Sequence, residues 1–519
     1  MGTLSFEQNY FIFRGSFKEA YLPKEARFFF DGNVWKTISV ESALKLKPFA
    51  DQSAEEKFKK LCIVTREWSG EPISPAGLKA YPFQIDGVKH ILTRTKSYLA
   101  SDAGLGKTIM SIIAVNSDPG RTLIICPPFL KINWAREFAK WSVNLPIPFI
   151  VNSLKDLTEE TALNDILIVP DSLIHRPKVQ ALLLKSKFKW LFIDEAHRFK
   201  TGTAKRTAAL FGGQYLTSKE TRPLHLNAER VVALSGTPMP NRPIEMFPLL
   251  NALAPETIDF MSHHNYGVKY CGGFEGAFGW DYKGASRLFE LREKLRSKFL
   301  IRHKKEDVLK DLPPKTRQIL RLDETRTLER YTQSILKEHS MSEILNCVTT
   351  GEYNDPALLG RLAKYRNEMA VEKTASAIEY ISELLDTTDE KIIVFAHHVS
   401  VVENIAAALY KYGALKVRGG VKSSDRDEII QEFQTNKQVR VIVGNIQSMG
   451  VGFTLTEASR VVFVEYSWVP GENSQAEDRA NRIGQTKNVL CQYLVATDLD
   501  EYILNAVMEK EKNIKIVGA

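Results

Sequence analysis

The sequence predicts an α/β protein with two parallel-sheet lobes, helical protrusions between them and a small N-terminal accessory module. Three features predict it. Short β-branched runs alternate with helical patterns in two separate stretches, strand signals vanish between those stretches, and an aromatic-rich segment precedes both. At 519 residues the chain is too long for one ordinary core, and 44% hydrophobic with 25% charged residues is a globular composition. The expected divisions are the accessory module over residues 1–70, a first α/β lobe over 71–255, a helical protrusion and bridge over 256–369, and a second lobe over 370–519.

In the front module Phe11, Phe13, Phe17, Phe28, Phe29, Phe30 and Trp35 crowd a short segment, with Arg14, Lys18, Lys24, Arg27 and Lys36 interleaved. Some of these rings must form its core. The others could stack on unpaired bases, since base–aromatic stacking contributes on the order of 1–3 kcal/mol and tolerates any sequence. A plain β-hairpin with an aromatic core is an equally good reading. The first lobe draws its strands from Tyr98–Ala100, Thr122–Pro127, Ile166–Pro170, Trp190–Glu195 and Arg230–Thr237, and the second from Lys391–Ala396, Arg440–Asn445, Arg460–Glu465 and Val489–Ala496. Between them, from about Pro255 to Met369, helix-like sequence dominates, and Leu288, Leu291, Leu295 and Phe299 have the spacing of an amphipathic helix.

Net charge is +8, mild for this length, but its location is informative. From Arg287 to Arg317 there are 11 Lys or Arg against 5 Asp or Glu, an excess of six. Such a stripe is either a solvated helix face, the usual fate of a charge run, or a surface for phosphates. Five scattered cysteines without paired spacing suggest neither a zinc cluster nor a disulfide framework. No apolar run approaches the roughly 18 residues that span a bilayer. Met1–Tyr10 also lacks a charged start followed by an apolar stretch, so an intracellular protein without a membrane partner is expected.

The strongest local chemistry is Ser101-Asp-Ala-Gly-Leu-Gly-Lys-Thr108, between a short apolar run and a helical one. Glycines let backbone N–H groups close around phosphate oxygens, a lysine brings a point charge to the β- and γ-phosphates, and a threonine hydroxyl can hold Mg²⁺. Gly104, Leu105, Gly106, Lys107 and Thr108 fit a nucleotide cradle; the strict pattern has glycine where Ser101 stands. The second element is Trp190-Leu-Phe-Ile-Asp-Glu-Ala-His197, an apolar strand ending in adjacent carboxylates. Asp194 can hold the metal and Glu195 can polarise the attacking water. Taken alone, an Asp-Glu pair is usually an exposed turn and His197 a structural histidine. The order of the two elements, at a spacing that one α/β lobe can hold, favours a nucleotide with Mg²⁺; the resemblance that follows implies ATP.

From Tyr81 onward the chain resembles the SWI/SNF-type ATPases of helicase superfamily two, which implies two RecA-like lobes. Tyr81-Pro-Phe-Gln84 followed by Asp86-Gly87-Val88 looks like the adenine-reading segment, with Gln84 on the base edge. Leu123–Pro127 with Asn133-Trp134 and Glu137, and Ser235-Gly-Thr-Pro238 with Asn241, resemble further motifs of the first lobe. Gly450-Val-Gly-Phe-Thr-Leu455 and Gln475-Ala-Glu-Asp-Arg-Ala-Asn-Arg-Ile-Gly-Gln485 resemble those of the second. The resemblance implies that Arg479 and Arg482 reach the γ-phosphate, where they stabilise transition-state charge; a surface helix with Asp478–Arg482 ion pairs is the bland alternative. It also implies phosphate contacts around Lys131, Asn133, Gln447 and Trp468 and along Arg302 and Lys304. Two departures from the family pattern stand out: Ser101-Asp102-Ala103 replaces Asp-Glu-Met, and Asn481 replaces histidine.

Phe278–Ala285, Phe299–Arg302 and Val308–Arg317 look most like the compact annealing-helicase, fork-remodelling branch. Leu22–Phe28, Trp35-Lys-Thr and Ala43-Leu resemble the small module that precedes the motor in bacterial relatives. The expected protein is therefore a monomeric, ATP-driven translocase on duplex and branched DNA. It would act by branch migration or strand annealing in the cytoplasm of a bacterium or of a virus-infected bacterial host. A strand-separating or RNA-directed helicase, or an ATP-switched factor displacing RNA polymerase, remains the alternative.

Overall fold

Parallel strands buried on both faces should read as unbroken apolar runs, and Ile166–Pro170 and, after its first residue, Lys391–Ala396 do. The computed structural model describes residues 2–8, 10–32, 34–37, 40–212, 222–239, 242–276, 279–350, 356–419, 423–449 and 453–518. The chain divides into two units. The first holds Met1–Ala100, Thr108–Pro127 and Glu137–Arg302; the second holds Ser101–Lys107, Pro128–Arg136 and His303–Ala519.

The first unit begins with a four-stranded antiparallel sheet of β1 (Thr3–Glu7), β2 (Tyr10–Arg14), β3 (Phe29–Asp31) and β4 (Val34–Thr37), in the order β1-β2-β4-β3. It is more than a hairpin. Phe11, Phe13 and Phe28 pack with Leu4, Ala54 and Phe58, the last from the helix Gln52–Leu61, whose Asp51 cap accepts the Ala54 N–H at 2.9 Å. The same unit contains β5 (Lys96–Leu99), β6 (Thr122–Cys126), β7 (Phe149–Ile150), β8 (Ile166–Pro170), β9 (Phe188–Ile193) and β10 (Ala228–Leu234). A small antiparallel ribbon, β11 (Phe274–Gly276) with β12 (Gly279–Asp281), follows, and then β13 (Leu300–Ile301). With β13 these strands form one parallel sheet in the order β13-β5-β10-β9-β6-β8-β7.

The second unit has β14 (Lys315–Arg321), β15 (Lys391–Ala396), β16 (Leu415–Val417), β17 (Val441–Asn445), β18 (Ala458–Phe463) and β19 (Val489–Val495). They form a parallel sheet in the order β14-β19-β18-β15-β17-β16. Alternation places Ile393, Phe395 and Ile442 in one buried cluster and Ile392, Val394 and Val441 in the other, so the sheet is covered on both faces.

The stretch from 255 to 369 departs from the expectation that strand signals vanish there. It supplies β11 to β14, and β14 joins the second sheet well before residue 370. Lys-Thr-Arg-Gln-Ile-Leu-Arg alternates in exposure along an edge strand, so no β-branched run announces it. The expected amphipathic helix is present at Leu288–Lys298, with Leu291, Leu295 and the following Phe299 buried. No helix among the described residues is long and apolar enough to cross a membrane.

Candidate nucleotide site and nucleic-acid track

In the first unit β5 and β9 run parallel with β10 between them, so the residues that follow each leave the same edge of the sheet. Ligands of α/β sheets bind outside such carboxyl-terminal strand ends. The phosphate loop follows β5, and Lys107 and Thr108 open the helix Lys107–Ser117. Asp194 and Glu195 follow β9. Asp194 is buried and its Oδ1 accepts the Glu195 N–H at 2.9 Å. Glu195 has left-handed backbone, φ 49° and ψ 50°, a conformation that costs a non-glycine residue about 1–3 kcal/mol and concentrates at functional sites. Its Oε2 lies 3.2 Å from His197 Nδ1, which is 2.9 Å from Ser235 Oγ; that hydroxyl accepts the Thr237 N–H at 3.0 Å. His197 thus stands between Glu195 and Ser235, a position its sequence context did not reveal. Gln84 is buried, and its Oε1 accepts the Tyr81 N–H at 2.9 Å in a capping box at the start of the helix Pro82–Leu92. That bond fixes the Gln84 side chain.

The phosphate-loop segment Ser101–Lys107 belongs to the second unit. Gly104 and Gly106 have φ of +88° and +81°, open to glycine at little cost. A Cβ on Gly104 would also lie 2.5 Å from Arg482 Cγ, so the glycine makes room for an arginine side chain. Leu105 is buried, and Lys107 Nζ donates to Ser101 O at 2.7 Å and Asp102 O at 3.2 Å. Serine in place of glycine at 101 has a local reason: its Oγ accepts the His303 N–H at 3.2 Å and lies 2.9 Å from His303 Nδ1.

A Thr108 hydroxyl and an Asp194 carboxylate are hard oxygen donors, the kind Mg²⁺ takes in small number alongside phosphates and water. Two such donors leave most of an octahedral shell to phosphate and water oxygens, so their chemistry fits an ion shared with a nucleotide.

The string Gln475–Gln485 is anchored by a buried charge network. Arg317 donates to Glu477 Oε1 and Oε2 at 2.6 and 2.9 Å and to Glu511 Oε2 at 2.7 Å. Lys315 Nζ lies 2.8 Å from Glu477 Oε2 and 3.0 Å from Asp478 Oδ1, and Lys305 Nζ lies 2.9 Å from Asp478 Oδ1. Asp478 therefore pairs with these lysines, in place of the surface pair with Arg482 that the bland alternative requires. Burial opposes charging of Glu477 and Asp478, yet the neighbouring cations hold both carboxyls below their ordinary values. Arg479 and Arg482 look alike in sequence and differ here. Arg479 is 3% exposed and donates to Gln475 O at 2.9 Å and Phe453 O at 3.1 Å. Arg482 is half-buried, donates to Phe453 O and Thr454 Oγ1 at 2.9 Å each, and lies against Gly104. The guanidinium of Arg479 is thus enclosed between carbonyls of Gln475 and Phe453, whereas Arg482 is partly open beside the phosphate loop.

The SNF2-related domain matches residues 83–369 and the helicase conserved C-terminal domain matches 376–484. The chain belongs to the SNF2 family of helicase superfamily two. The two domains together indicate a DNA-dependent ATPase. The Xenopus laevis "SWI/SNF-related matrix-associated actin-dependent regulator of chromatin subfamily A-like protein 1" is 34% identical over 84% of this chain and 43% of its own length. The Mus musculus "DNA annealing helicase and endonuclease ZRANB3" is 30% identical over 87% of this chain and 42% of its own. The chain spans less than half the length of these relatives. A solved structure titled "Sulfolobus solfataricus SWI2/SNF2 ATPase core in complex with dsDNA" aligns over 87% of this chain and 99% of its own, with 22% identity and a TM-score of 0.40. The expected bacterial or virus-infected bacterial cytoplasm is overturned, because these curated relatives are eukaryotic.

The track residues expected for this SNF2-family ATPase are unequal in exposure. Gln447 is exposed and Trp468 half-buried; they follow β17 and β18, which flank β15 in the second sheet. Asn133 is half-buried, and Lys131 is buried with 7% exposure, leaving its ammonium little surface for a phosphate. Arg302 donates to Ala100 O at 3.4 Å, and Lys304 lies 3.7 Å from Glu306. The basic stripe shrinks as well, because Lys305, Lys315 and Arg317 serve the network around Glu477. Sequence reasoning missed Arg366, whose guanidinium lies 5.0 Å from the Trp468 ring centre, and Glu465, which accepts the His397 and His398 N–H groups at 2.9 Å. Asn241, Phe278 and Gly450–Gly452 lie outside the described residues.

Proposed function

We propose that this chain is an ATP-driven translocase on duplex DNA that remodels forks or junctions by branch migration or strand annealing. The observation that carries the motor reading is Arg482 lying against Gly104 of the phosphate loop, because an arginine there can meet charge developing on a transferred phosphoryl group. Lys107 holds the phosphates, Glu195 accepts the proton of the attacking water, and Arg482 stabilises the transition state. ATP is the nucleotide, with Gln84 at its base. Thr108 and Asp194 would hold Mg²⁺, which supplies charge neutralisation between phosphates.

The branched-DNA reading rests on the names of the relatives and on the front module. Phe29 and Phe30 are 49% and 59% exposed on β3, and Lys24 and Arg27, a few residues earlier in the chain, are exposed too. Gln447, Trp468, Asn133, Arg302 and Lys304 would touch backbone phosphates, so affinity would fall steeply with salt and vary little with base sequence. The deciding experiment is steady-state ATPase with single-stranded, duplex, forked and four-way DNA, paired with a branch-migration assay. Strong stimulation by duplex and branched DNA is expected. Stimulation by RNA alone, or ATP binding without multiple turnover, would sink the proposal.

A further inference from the structure

The segment His303–Lys305 touches both parts of the proposed chemistry within the second unit. Its backbone runs along the phosphate loop: the Asp102 N–H donates to His303 O at 3.0 Å, and the Lys305 N–H donates to Asp102 Oδ2 at 3.0 Å. The Lys305 side chain runs the other way. It is 9% exposed, pairs with Asp478 Oδ1 at 2.9 Å and donates to the carbonyl of Asn481, the residue before Arg482. One residue thus grips the loop with its backbone and the arginine string with its ammonium. Neighbouring Lys304 pairs with Glu306 instead.

Burying an ammonium is costly even when it is paired, and an apolar residue of similar volume would serve stability as well or better. What the ion pair adds is direction, because an ammonium shared between one carboxylate oxygen and one carbonyl sets where that turn of chain lies. We propose that Lys305 is a positioning residue that holds Arg482 in register with the phosphate loop. It touches no reacting atom. This inference rests on the nucleotide-site reading above, and displacement of a catalytic group by about 1 Å can lower turnover on the order of 100-fold.

The groups facing the ammonium give a second readout. Burial is the largest influence and pushes Lys305 down to about 8, against the pull of Asp478 and Asp102 and with the push of Lys315, itself paired to Glu477. Below that pH the strut is charged. As pH rises through about 8 it loses its proton and its hold on Asp478, so turnover should decline on the alkaline side.

The test compares Lys305→Met and Lys305→Arg in the full chain by ATPase turnover, KM for ATP, pH profile and thermal unfolding. Lys305→Met should lower kcat on the order of 100-fold with KM nearly unchanged. Lys305→Arg should restore most of kcat and shift the alkaline decline upward, since guanidinium stays charged. If Lys305→Met does not fold, the pH profile of Lys305→Arg decides alone. Wild-type kcat in Lys305→Met, or an unshifted alkaline decline in Lys305→Arg, overturns the inference. Wild-type turnover in Lys107→Ala would instead overturn the nucleotide-site reading beneath it.

Discussion

The first sheet sets its candidate carboxylate on unusual backbone, whereas the second is surrounded by a lattice of buried polar pairs. After β9, Glu195 holds left-handed backbone and connects through His197 to Ser235. At the second sheet, Glu465 Oε2 accepts two N–H groups at 2.9 Å each and its Oε1 lies 2.7 Å from His398 Nδ1. Lys373 pairs with Asp500 at 3.0 Å, and the Tyr466 hydroxyl donates to Asp500 Oδ1 at 2.9 Å. On the proposed reading, the contrast teaches that one edge would place a carboxylate by backbone shape, and the other would hold its side chains by paired polar groups. Strain is tolerated where it aims a reacting group; a brace must leave few buried groups unpaired.

The comparison is broken most directly at its two active ends. Arg482→Ala should lower kcat by about 10³-fold or more while the protein stays folded, the scale of an arginine finger. Arg479→Ala should act differently, losing thermal stability because it removes a guanidinium that holds buried carbonyls. Equal kinetic losses with equal melting temperatures in the two variants would erase the distinction drawn between them. Glu195→Gln should still bind ATP and hydrolyse it about 10²- to 10⁴-fold more slowly, which nucleotide titration beside single-turnover kinetics would show.

Bracing is tested at Lys373. It is 3% exposed, donates to Leu494 O at 2.8 Å, and pairs with an equally enclosed Asp500. Lys373→Ala leaves that carboxylate buried without its ammonium, at a cost of about 3–5 kcal/mol. Denaturant unfolding should show a loss of that size, and a loss near that of a surface substitution would mean that the second edge is not braced by its ion pairs.

Acid should weaken both units by one mechanism. Burial pushes His225 in the first unit and His397 in the second down to about 4. Each is a base whose folded value lies below its unfolded value near 6.5, so the native state excludes a proton that the unfolded chain binds. Stability from this source is intact above about pH 6.5 and is lost as pH falls toward about 4. Melting temperature against pH should slope across that window. His225→Asn should flatten part of the slope, and an unchanged slope in that variant would show that His225 is not held neutral.

The legible parts of this fold were those written in a single local stretch. Ile166–Pro170 and Lys391–Ala396 are short runs rich in Ile and Val, and both form strands with those bounds. Leu300–Ile301 has two residues, and Lys315–Arg321 is mostly polar, so neither strand carries a local pattern. The glycine loop and the Asp194-Glu195 pair were readable because their chemistry lies in consecutive residues. The Lys305, Lys315 and Arg317 contacts were not, since their carboxylate partners arrive from distant sequence. Their charges registered only as part of a stripe whose surface reading the structure reduces. Arg479 and Arg482 share one string, and only tertiary burial separates a holding arginine from a presented one.

The smallest expected effect lies in the front module, where the sequence left open which rings form the core. Phe11, Phe13 and Phe28 do, while Phe29 and Phe30 stay exposed, with the Phe30 ring 5.0 Å from that of Trp35 and the Phe29 ring 6.0 Å from that of Tyr10. Deleting residues 1–70 would be a poor test of base stacking. The module also braces its unit: Glu41 accepts the Ser262 N–H at 3.0 Å and the Asn265 side-chain amide at 2.6 Å, and Lys96 Nζ donates to Leu61 O at 2.7 Å. Removing it would strip those bonds along with the rings. Phe29→Ser and Phe30→Ser change only the outward face, and each should weaken stacking on an unpaired base by about 1 kcal/mol, the low end for a partly exposed ring. Preference for forked or four-way DNA over linear duplex should fall about fivefold per substitution, with duplex-stimulated ATPase and melting temperature unchanged. A doubly substituted protein that still chose branched DNA as strongly as the wild type would remove the module from DNA recognition and leave it as a brace for the helix His263–Tyr270.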